Sequence, residues 1–227
     1  MFKNIIFDCF GTLIDTGTGS IEAVRSILKS VRCEVDERVF YSEWKAIKKK
    51  LMSHEPFHSE KDLFRISLEK MFERYSIIAD TGEEIKPMID TLFGVRRMFG
   101  DTAETLKKLN DMGIKYAIGS TTDTDSLMHF LEMNNLKFSN VFTSEDMKVY
   151  KPDEKFYSTI LQRMKWDISE SLFVGDNPVD DVAGPQSIGL KAVLLDRQGK
   201  YKDDSDIRPD YIITTLNELH RIIYYGG

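Results

Sequence analysis

The chain has 227 residues, of which 41% are hydrophobic and 30% are charged, and its net charge at pH 7 is −6. This composition is typical of globular proteins, and the acidic balance argues against a nucleic-acid-binding surface. The 2 cysteines are too few for a disulfide framework, and neither a signal-peptide pattern nor an apolar stretch long enough to cross a membrane is visible. We expect a cytoplasmic protein of one large domain or two unequal ones, with neither nucleic acid nor membrane as a partner.

The first half of the chain begins with one strand and continues with helices. The apolar run 5–7 predicts a buried strand that ends in Asp8 and turns at once through Gly11. Between residues 15 and 96, apolar side chains recur at helical spacing and no strand is indicated. The helices are predicted near residues 21–28, 40–51, 63–72 and 82–93. We predict that residues 15–96 form an all-helical insertion.

The second half alternates short strands with helices from about residue 101 onward. The predicted strands are 116–118, 141–142, 172–174, 192–195 and 211–213. The predicted helices are 103–109, 127–131, 154–164, 182–188 and 216–223. Such alternation is typical of a parallel sheet covered by helices on both faces. The predicted fold class is therefore α/β, with residues 1–14 and 97–227 forming a Rossmann-like domain.

Polar residues stand at the ends of three predicted strands. Asp8 follows the first strand, Ser120 and Thr121 follow the second, and Asp176 follows a later one. The carboxyl ends of parallel strands share one edge of the sheet, so we expect these side chains to converge there. Lys151, fixed by the following proline, is predicted to project into the same crevice.

An acidic cluster follows the fourth predicted strand. The stretch 175–181 contains three carboxylates, those of Asp176, Asp180 and Asp181. Like charges so close together resist ionisation unless a cation or a basic group offsets them. Oxygen ligands without nitrogen or sulfur donors favour Mg²⁺.

The motifs together resemble those of a known family. The ordered set Asp8-Cys9-Phe10-Gly11-Thr12-Leu13, Ser120, Lys151-Pro152-Asp153 and Gly175-Asp176 with Asp181 is similar to the four motifs of the haloacid dehalogenase superfamily. The helical block 15–96 resembles the C1-type cap of its dehalogenase and small-molecule phosphatase branches. The resemblance implies a hydrolase with a small-molecule substrate, a Rossmann-like core and Asp8 as covalent nucleophile. It also implies that Ser120 and Lys151 hold the transferred group and that Mg²⁺ binds Asp176.

The residue chemistry is compatible with these roles. A carboxylate can form an ester with phosphorus or with a halogen-bearing carbon, and a lysine beside it keeps it ionised. The predicted catalytic residues are therefore Asp8, Ser120 and Lys151. The loop residues Phe10, Gly11 and Thr12, together with Thr121, are predicted to contact the substrate. The predicted metal ligands are the side chains of Asp8, Asp176 and Asp181 and the main-chain carbonyl of Phe10.

Two departures from the family pattern keep the reaction open. Phosphatases of the superfamily usually carry an aspartate at position 10, which protonates the leaving group, whereas the 2-haloacid dehalogenases carry an aromatic there. Thr121 also stands where both branches commonly have asparagine. Phe10 therefore favours dehalogenation, while the acidic cluster near Asp176 favours phosphatase chemistry.

Three readings of the function follow. The leading one is a Mg²⁺-dependent phosphatase that acts through an aspartyl-phosphate at Asp8. The second is a metal-independent 2-haloacid dehalogenase that acts through an aspartyl ester, and the third is a binding protein on a catalytically impaired scaffold. The sequence sets neither the substrate nor the oligomeric state.

Overall fold

The computed structural model of the chain describes residues 1–53, 56–201 and 206–225. The chain divides into two compact units. The first comprises Met1–Asp15, Arg97–Thr121 and Leu131–Gly227, and the second comprises Thr16–Arg96 and Thr122–Phe130. Residues 122–130, which the sequence assigns to the Rossmann-like domain, thus group with the helical unit. The domain boundaries given above stay a prediction.

The second unit is built from helices that share one apolar core. Helices α1 (Gly19–Ser30), α2 (Glu37–Met52) and α3 (Glu60–Arg74) precede the short helices α4 (Thr81–Glu84) and α5 (Lys86–Thr91). The core includes Val24, Phe40, Trp44, Leu68 and Met88. The helix predicted over 82–93 is thus two helices, because Pro87 has no N–H to continue the hydrogen-bond ladder of the preceding turn and instead starts α5.

The first unit contains a six-stranded sheet in which every pairing is parallel. Its strands are β1 (Asn4–Phe7), β2 (Lys115–Ser120), β3 (Val141–Thr143), β4 (Ser171–Gly175), β5 (Lys191–Leu195) and β6 (Tyr211–Ile213). The strand order is β3-β2-β1-β4-β5-β6, so the chain reverses its direction of travel across the sheet at β1. In an open α/β sheet, ligands bind at the carboxyl ends of the strands beside such a reversal. The α/β prediction is confirmed.

Helices pack against this sheet or follow its strands. They are α6 (Thr102–Asp111), α7 (Thr124–Met133), α8 (Ser144–Met147), α9 (Glu154–Met164), α10 (Gly184–Ser187) and α11 (Leu219–Tyr225). On α9, the side chains of Phe156, Tyr157 and Ile160 are buried in one cluster with Ile6 and Phe173 of the sheet. No helix within the described residues is both long enough and apolar enough to cross a membrane.

The segment after β4 differs from its prediction. A helix is predicted over 182–188, but the structure forms a π-helical turn over Pro178–Ala183 and then the short helix α10. The Asn177 side chain caps this turn by accepting the main-chain N–H groups of Val179 and Asp180. The wider π turn begins two residues after Asp176, so it decides where Asp180 and Asp181 of the acidic cluster lie.

Candidate active site

The loop after β1 is closed on itself by main-chain hydrogen bonds. The N–H of Asp8 donates to the carbonyl of Val174 at 2.8 Å, which holds Asp8 beside β4. The N–H groups of Leu13 and Ile14 both donate to the carbonyl of Cys9, at 2.8 and 2.9 Å. Gly11 takes a φ of +91°, a conformation that residues with a side chain rarely adopt. Asp8 is thereby held at the strand end with 7% of its surface exposed.

Lys151 bridges two buried carboxylates at the centre of the site. Its Nζ lies 2.7 Å from Oδ1 of Asp8 and 2.8 Å from Oδ1 of Asp181. The exposed fractions of the Lys151 and Asp181 side chains are 3% and 2%. The second carboxylate oxygen of Asp181 accepts the N–H of Asn177 at 2.9 Å. Charges this deeply buried are retained only when they are paired, so Asp8, Lys151 and Asp181 act as one electrostatic unit.

Two glycines allow the carboxylates to approach the loop and the strand. A Cβ on Gly11 would lie 2.5 Å from Oδ2 of Asp176, and a Cβ on Gly175 would lie 2.2 Å from Cγ of Asp181. Both distances are far shorter than van der Waals contact, so a side chain at either position would displace the neighbouring carboxylate. The ligand oxygens of Asp8, Asp176 and Asp181 all lie within 4.8 Å of one another.

The environment shifts the pKa values of these groups. Burial, opposed by Lys151 and reinforced by the charges of Asp181 and Asp176, raises the pKa of Asp8 to about 7. Asp176 is the exposed residue of the cluster, but its carboxyl is partly withdrawn from water. This partial burial and the charge of Asp181 raise the pKa of the Asp176 carboxyl to about 6. Burial lowers the pKa of Lys151, but Asp181 and Asp8 outweigh it and the net shift is upward, which keeps the lysine charged.

The other predicted residues surround this centre in different ways. The Ser120 hydroxyl lies 3.4 Å from Oδ1 of Asp8. The Thr121 hydroxyl accepts the main-chain N–H of Lys151 at 3.3 Å, so it contacts the lysine segment. Thr12 is fully buried, and its hydroxyl has no hydrogen-bond partner within the described part of the chain. Phe10 is half-buried and pairs through its backbone with Ile14. The proposed substrate contacts of Phe10, Gly11, Thr12 and Thr121 and the catalytic role of Ser120 stay predictions.

The sequence interpretation overlooks one residue of this loop's surroundings. Arg197 follows β5 and donates through Nη2 to the main-chain carbonyl of Thr12 at 2.9 Å. It stands at the carboxyl end of a parallel strand, as Asp8 and Asp176 do. The rule that functional residues lie at the carboxyl ends of parallel strands would therefore have identified Arg197 as a candidate.

Comparison with known proteins places the chain among related hydrolases. The family model described as haloacid dehalogenase-like hydrolase matches residues 5–195. Glyceraldehyde 3-phosphate phosphatase of Methanopyrus kandleri is 26% identical over 239 residues, covering 98% of this chain and 97% of that protein. Haloacid dehalogenase-like hydrolase domain-containing protein 3 of Danio rerio is 36% identical over 124 residues, and this match spans only 51% of that relative.

Dehalogenases occur among the similar proteins as well. (S)-2-haloacid dehalogenases match at 24% to 30% identity. The solved L-2-haloacid dehalogenase of Xanthobacter autotrophicus superposes with a TM-score of 0.77 at 17% identity over 100% of both chains, which shows a common fold. The family match, the parallel sheet and the four motifs agree with the resemblance found in the sequence. The chain belongs to the haloacid dehalogenase-like hydrolases.

Proposed function

We propose that this hydrolase is a Mg²⁺-dependent phosphatase that acts on a small phosphorylated metabolite through an aspartyl-phosphate at Asp8. One observation carries the proposal: the carboxylates of Asp8, Asp176 and Asp181 have ligand oxygens within 4.8 Å of one another. Within the part of the chain that the structure describes, Lys151 is the one lysine bonded to this group, through Asp8 and Asp181. Three ionised carboxylates and one ammonium leave two negative charges, which a divalent cation would neutralise.

The residues of the site supply the covalent chemistry. An oxygen of Asp8 attacks phosphorus, the bond from phosphorus to the leaving oxygen breaks, and the leaving group departs with the electron pair. Water then attacks the aspartyl-phosphate, which releases inorganic phosphate and restores the Asp8 carboxylate. Lys151 offsets the charge on the phosphoryl oxygens and favours the ionised form of Asp8, and the Ser120 hydroxyl donates to a phosphoryl oxygen.

The donor set suits a magnesium ion. Mg²⁺ prefers hard oxygen ligands. The side chains of Asp8 and Asp176 and the main-chain carbonyl of Phe10 are ligands of this type, and Asp181 is a further candidate. Asp181 already bonds both Lys151 and the Asn177 N–H, which favours a positioning role for it. The bound ion would shield the phosphoryl group from the negative charge of Asp8.

Phe10 restricts the substrates of such a phosphatase. A phenyl group cannot protonate the leaving oxygen, and the loss of a general acid costs roughly 10²–10⁴-fold in rate when the leaving group is poor. We therefore expect acyl and aryl phosphates, whose leaving groups depart without a proton, to react much faster than alkyl phosphates.

Phosphate release from acetyl phosphate, p-nitrophenyl phosphate and glycerol phosphate, each with Mg²⁺ and with chelator, tests the proposal. Asp8→Asn should abolish the release. Asp15→Asn, the same change at an exposed position seven residues further on, is the matched control and should retain it. Absence of Mg²⁺-dependent turnover on all three phosphates would contradict phosphatase activity.

A second candidate is a metal-independent 2-haloacid dehalogenase, which Phe10 favours because a halide leaves without a proton. In this reaction Asp8 attacks the carbon that bears the halogen, the carbon–halogen bond breaks, and water hydrolyses the resulting ester. Chloride release from 2-chloropropionate in the presence of chelator tests it.

The variant Asp176→Asn separates the two candidates. It should abolish phosphate release, because it removes a proposed metal ligand, and it should spare a metal-independent dehalogenation. If the wild type releases neither product but binds beryllium fluoride with Mg²⁺, both substrate assignments are wrong while the nucleophile is intact. If the wild type does not bind beryllium fluoride either, the protein is better explained as a binding protein on a catalytically impaired scaffold than as a phosphatase or a dehalogenase.

A further inference from the structure

We propose that Arg197 is a positioning residue that holds the loop after β1, and with it Asp8, in the geometry needed for attack. The inference rests on the proposed role of Asp8 as nucleophile, but it does not depend on which of the two reactions Asp8 performs. Arg197 lies outside the four family motifs and is not adjacent to any of them in the sequence.

The guanidinium of Arg197 joins two parts of the first unit through a fork of hydrogen bonds. Nη1 and Nη2 each lie 2.9 Å from a carboxylate oxygen of Asp101, and Nη2 also donates to the Thr12 carbonyl at 2.9 Å. The Arg197 side chain is 19% exposed and that of Asp101 is 10% exposed. The guanidinium carbon lies 3.9 Å from the ring centroid of Phe99. A planar group held on its edge and its face has little freedom to move.

Asp101 is itself fixed by further donors. One of its oxygens accepts the Thr215 hydroxyl at 2.7 Å and the N–H of Leu216 at 2.9 Å, in addition to Arg197. Asp101 therefore holds Arg197 against the segment between β6 and α11. Arg197, fixed in this way, holds the Thr12 carbonyl in place through its hydrogen bond.

Within the described part of the chain, the Thr12 carbonyl depends on the Arg197 guanidinium for its hydrogen bond. Thr12 is fully buried, so its carbonyl cannot turn to water without moving the loop. The neighbouring Leu13 carbonyl is held separately, by the N–H of Phe99 at 3.0 Å and the hydroxyl of Thr102 at 2.9 Å. An unpaired buried carbonyl is unfavourable, so removal of the guanidinium should displace the loop toward another partner. Misplacement by about 1 Å is enough to lower a rate by roughly 10²-fold.

Lysine cannot substitute for this fork. An ammonium is a compact point charge on a flexible stem, whereas the guanidinium presents its donors in one rigid plane. Arg197→Lys keeps the charge but is unable to bond both Asp101 oxygens and the Thr12 carbonyl with fixed geometry. A role that depended on charge alone would survive this change, and a positioning role would not.

The experiment compares Arg197→Lys, Arg197→Met and Asp101→Asn with Arg163→Met. Arg163 pairs with Asp146 on the surface of the same unit, where the two side chains are 47% and 46% exposed, so it is the matched control. For whichever substrate the wild type turns over, we expect kcat to fall about 10-fold to 100-fold in both Arg197 variants, because the nucleophile is displaced. Arg163→Met should match the wild type.

Amide hydrogen exchange supplies a second readout that needs no substrate. The N–H groups of Leu13 and Ile14, bonded to the Cys9 carbonyl, should exchange about 10-fold faster or more in Arg197→Lys, while those of β5 keep their protection. Full kcat in a folded Arg197→Met, or wild-type kcat restored by Arg197→Lys, would overturn the proposal. If the wild type has no turnover, the proposed function fails and the exchange alone decides: unchanged protection at Leu13 and Ile14 refutes the positioning role.

Discussion

Replacement of Lys151 by methionine tests whether the centre of the site is held together by charge. Methionine has nearly the same length and no charge, so the change removes the ammonium with little change in volume. The ammonium lies 2.7 Å from Asp8 and 2.8 Å from Asp181, and these two contacts are the ones that offset the buried carboxylates. We expect both a loss of activity and a loss of stability that depends on pH.

The size of the stability loss follows from burial. The Lys151 and Asp8 side chains are 3% and 10% exposed, so the pair belongs to the buried class. Removal of one partner of a buried pair costs about 3–5 kcal/mol. For a chain of this length, such a loss lowers the midpoint of thermal unfolding by roughly 10 °C.

The sign of the pH dependence follows from the raised pKa of Asp8. The pKa of the Asp8 carboxyl is about 7 in the folded chain and close to 3.8 in the unfolded chain. The stability that Asp8 contributes is therefore fully present below pH 3.8 and is lost as the pH rises through about 7. Lys151 lowers the folded pKa, so the methionine variant keeps its proton to higher pH. Above pH 7 the variant then loses about 1.4 kcal/mol more per pH unit than the wild type, or about 2 kcal/mol between pH 7 and 8.5.

Urea unfolding at pH 5 and pH 8.5 measures this difference. In a Trp44→Phe background the remaining tryptophan is Trp166, which packs against the core of the sheet unit, so its fluorescence reports that unit. Lys108→Met is the matched control, because Lys108 lies 2.7 Å from Glu104 but the two side chains are 48% and 59% exposed. It should be neutral at both pH values. An equal loss for Lys151→Met at pH 5 and pH 8.5, or none at either, would refute the reasoning.

Three further outcomes are expected. Phe10→Asp should raise turnover of glycerol phosphate by about 10²-fold or more and leave acetyl phosphate nearly unchanged, because only the alkyl leaving group needs a proton; equal effects on both would argue against a missing acid. Gly11→Ala should weaken Mg²⁺ binding in calorimetry, because its Cβ would lie 2.5 Å from the Asp176 carboxylate, whereas Gly113→Ala, also at positive φ but with no atom within 4 Å, should not. Phosphatase kcat/KM should rise about tenfold per pH unit below the pKa of about 7 at Asp8 and level off above it, with Mg²⁺ moving the midpoint lower. A profile that is flat from pH 5 to 8 would contradict this assignment.

The convergence of Asp8, Ser120 and Asp176 was predictable from the sequence because it needs only strand ends. Each residue follows a short buried strand, and parallel strands bring their carboxyl ends to one edge whatever the details of packing. Phe7 pairs with both Ile118 and Val174, which puts the three strand ends side by side. The positions of Asp8 and Ser120 directly at the ends of these strands are enough to predict that they lie close together. In the structure, 3.4 Å separates their side-chain oxygens.

The partners within the site were not predictable in the same way. The position of Asp181 beside Lys151 depends on the π-helical turn over Pro178–Ala183, and its wider hydrogen-bond spacing leaves no periodic signal in six residues. Arg197 and Thr12 are separated by 185 positions, and their contact runs through a main-chain carbonyl that no side-chain pattern records. Periodicity reports which face of an element is buried, whereas these contacts depend on loop geometry.

The balance of charge in the site connects Phe10 with the choice of reaction. Asp8, Asp176 and Asp181 with Lys151 carry two net negative charges when all are ionised, and an aspartate at position 10 would add a third. Phe10 therefore removes a general acid and also relieves repulsion in the cluster. Without a cation, the site reaches neutrality by holding protons on Asp8 and Asp176, whose pKa values are about 7 and 6. A bound divalent ion would release those protons and leave Asp8 ionised. Proton release on addition of Mg²⁺ near pH 6.5, absent in Asp176→Asn, would therefore link the metal to the nucleophile before any substrate is known.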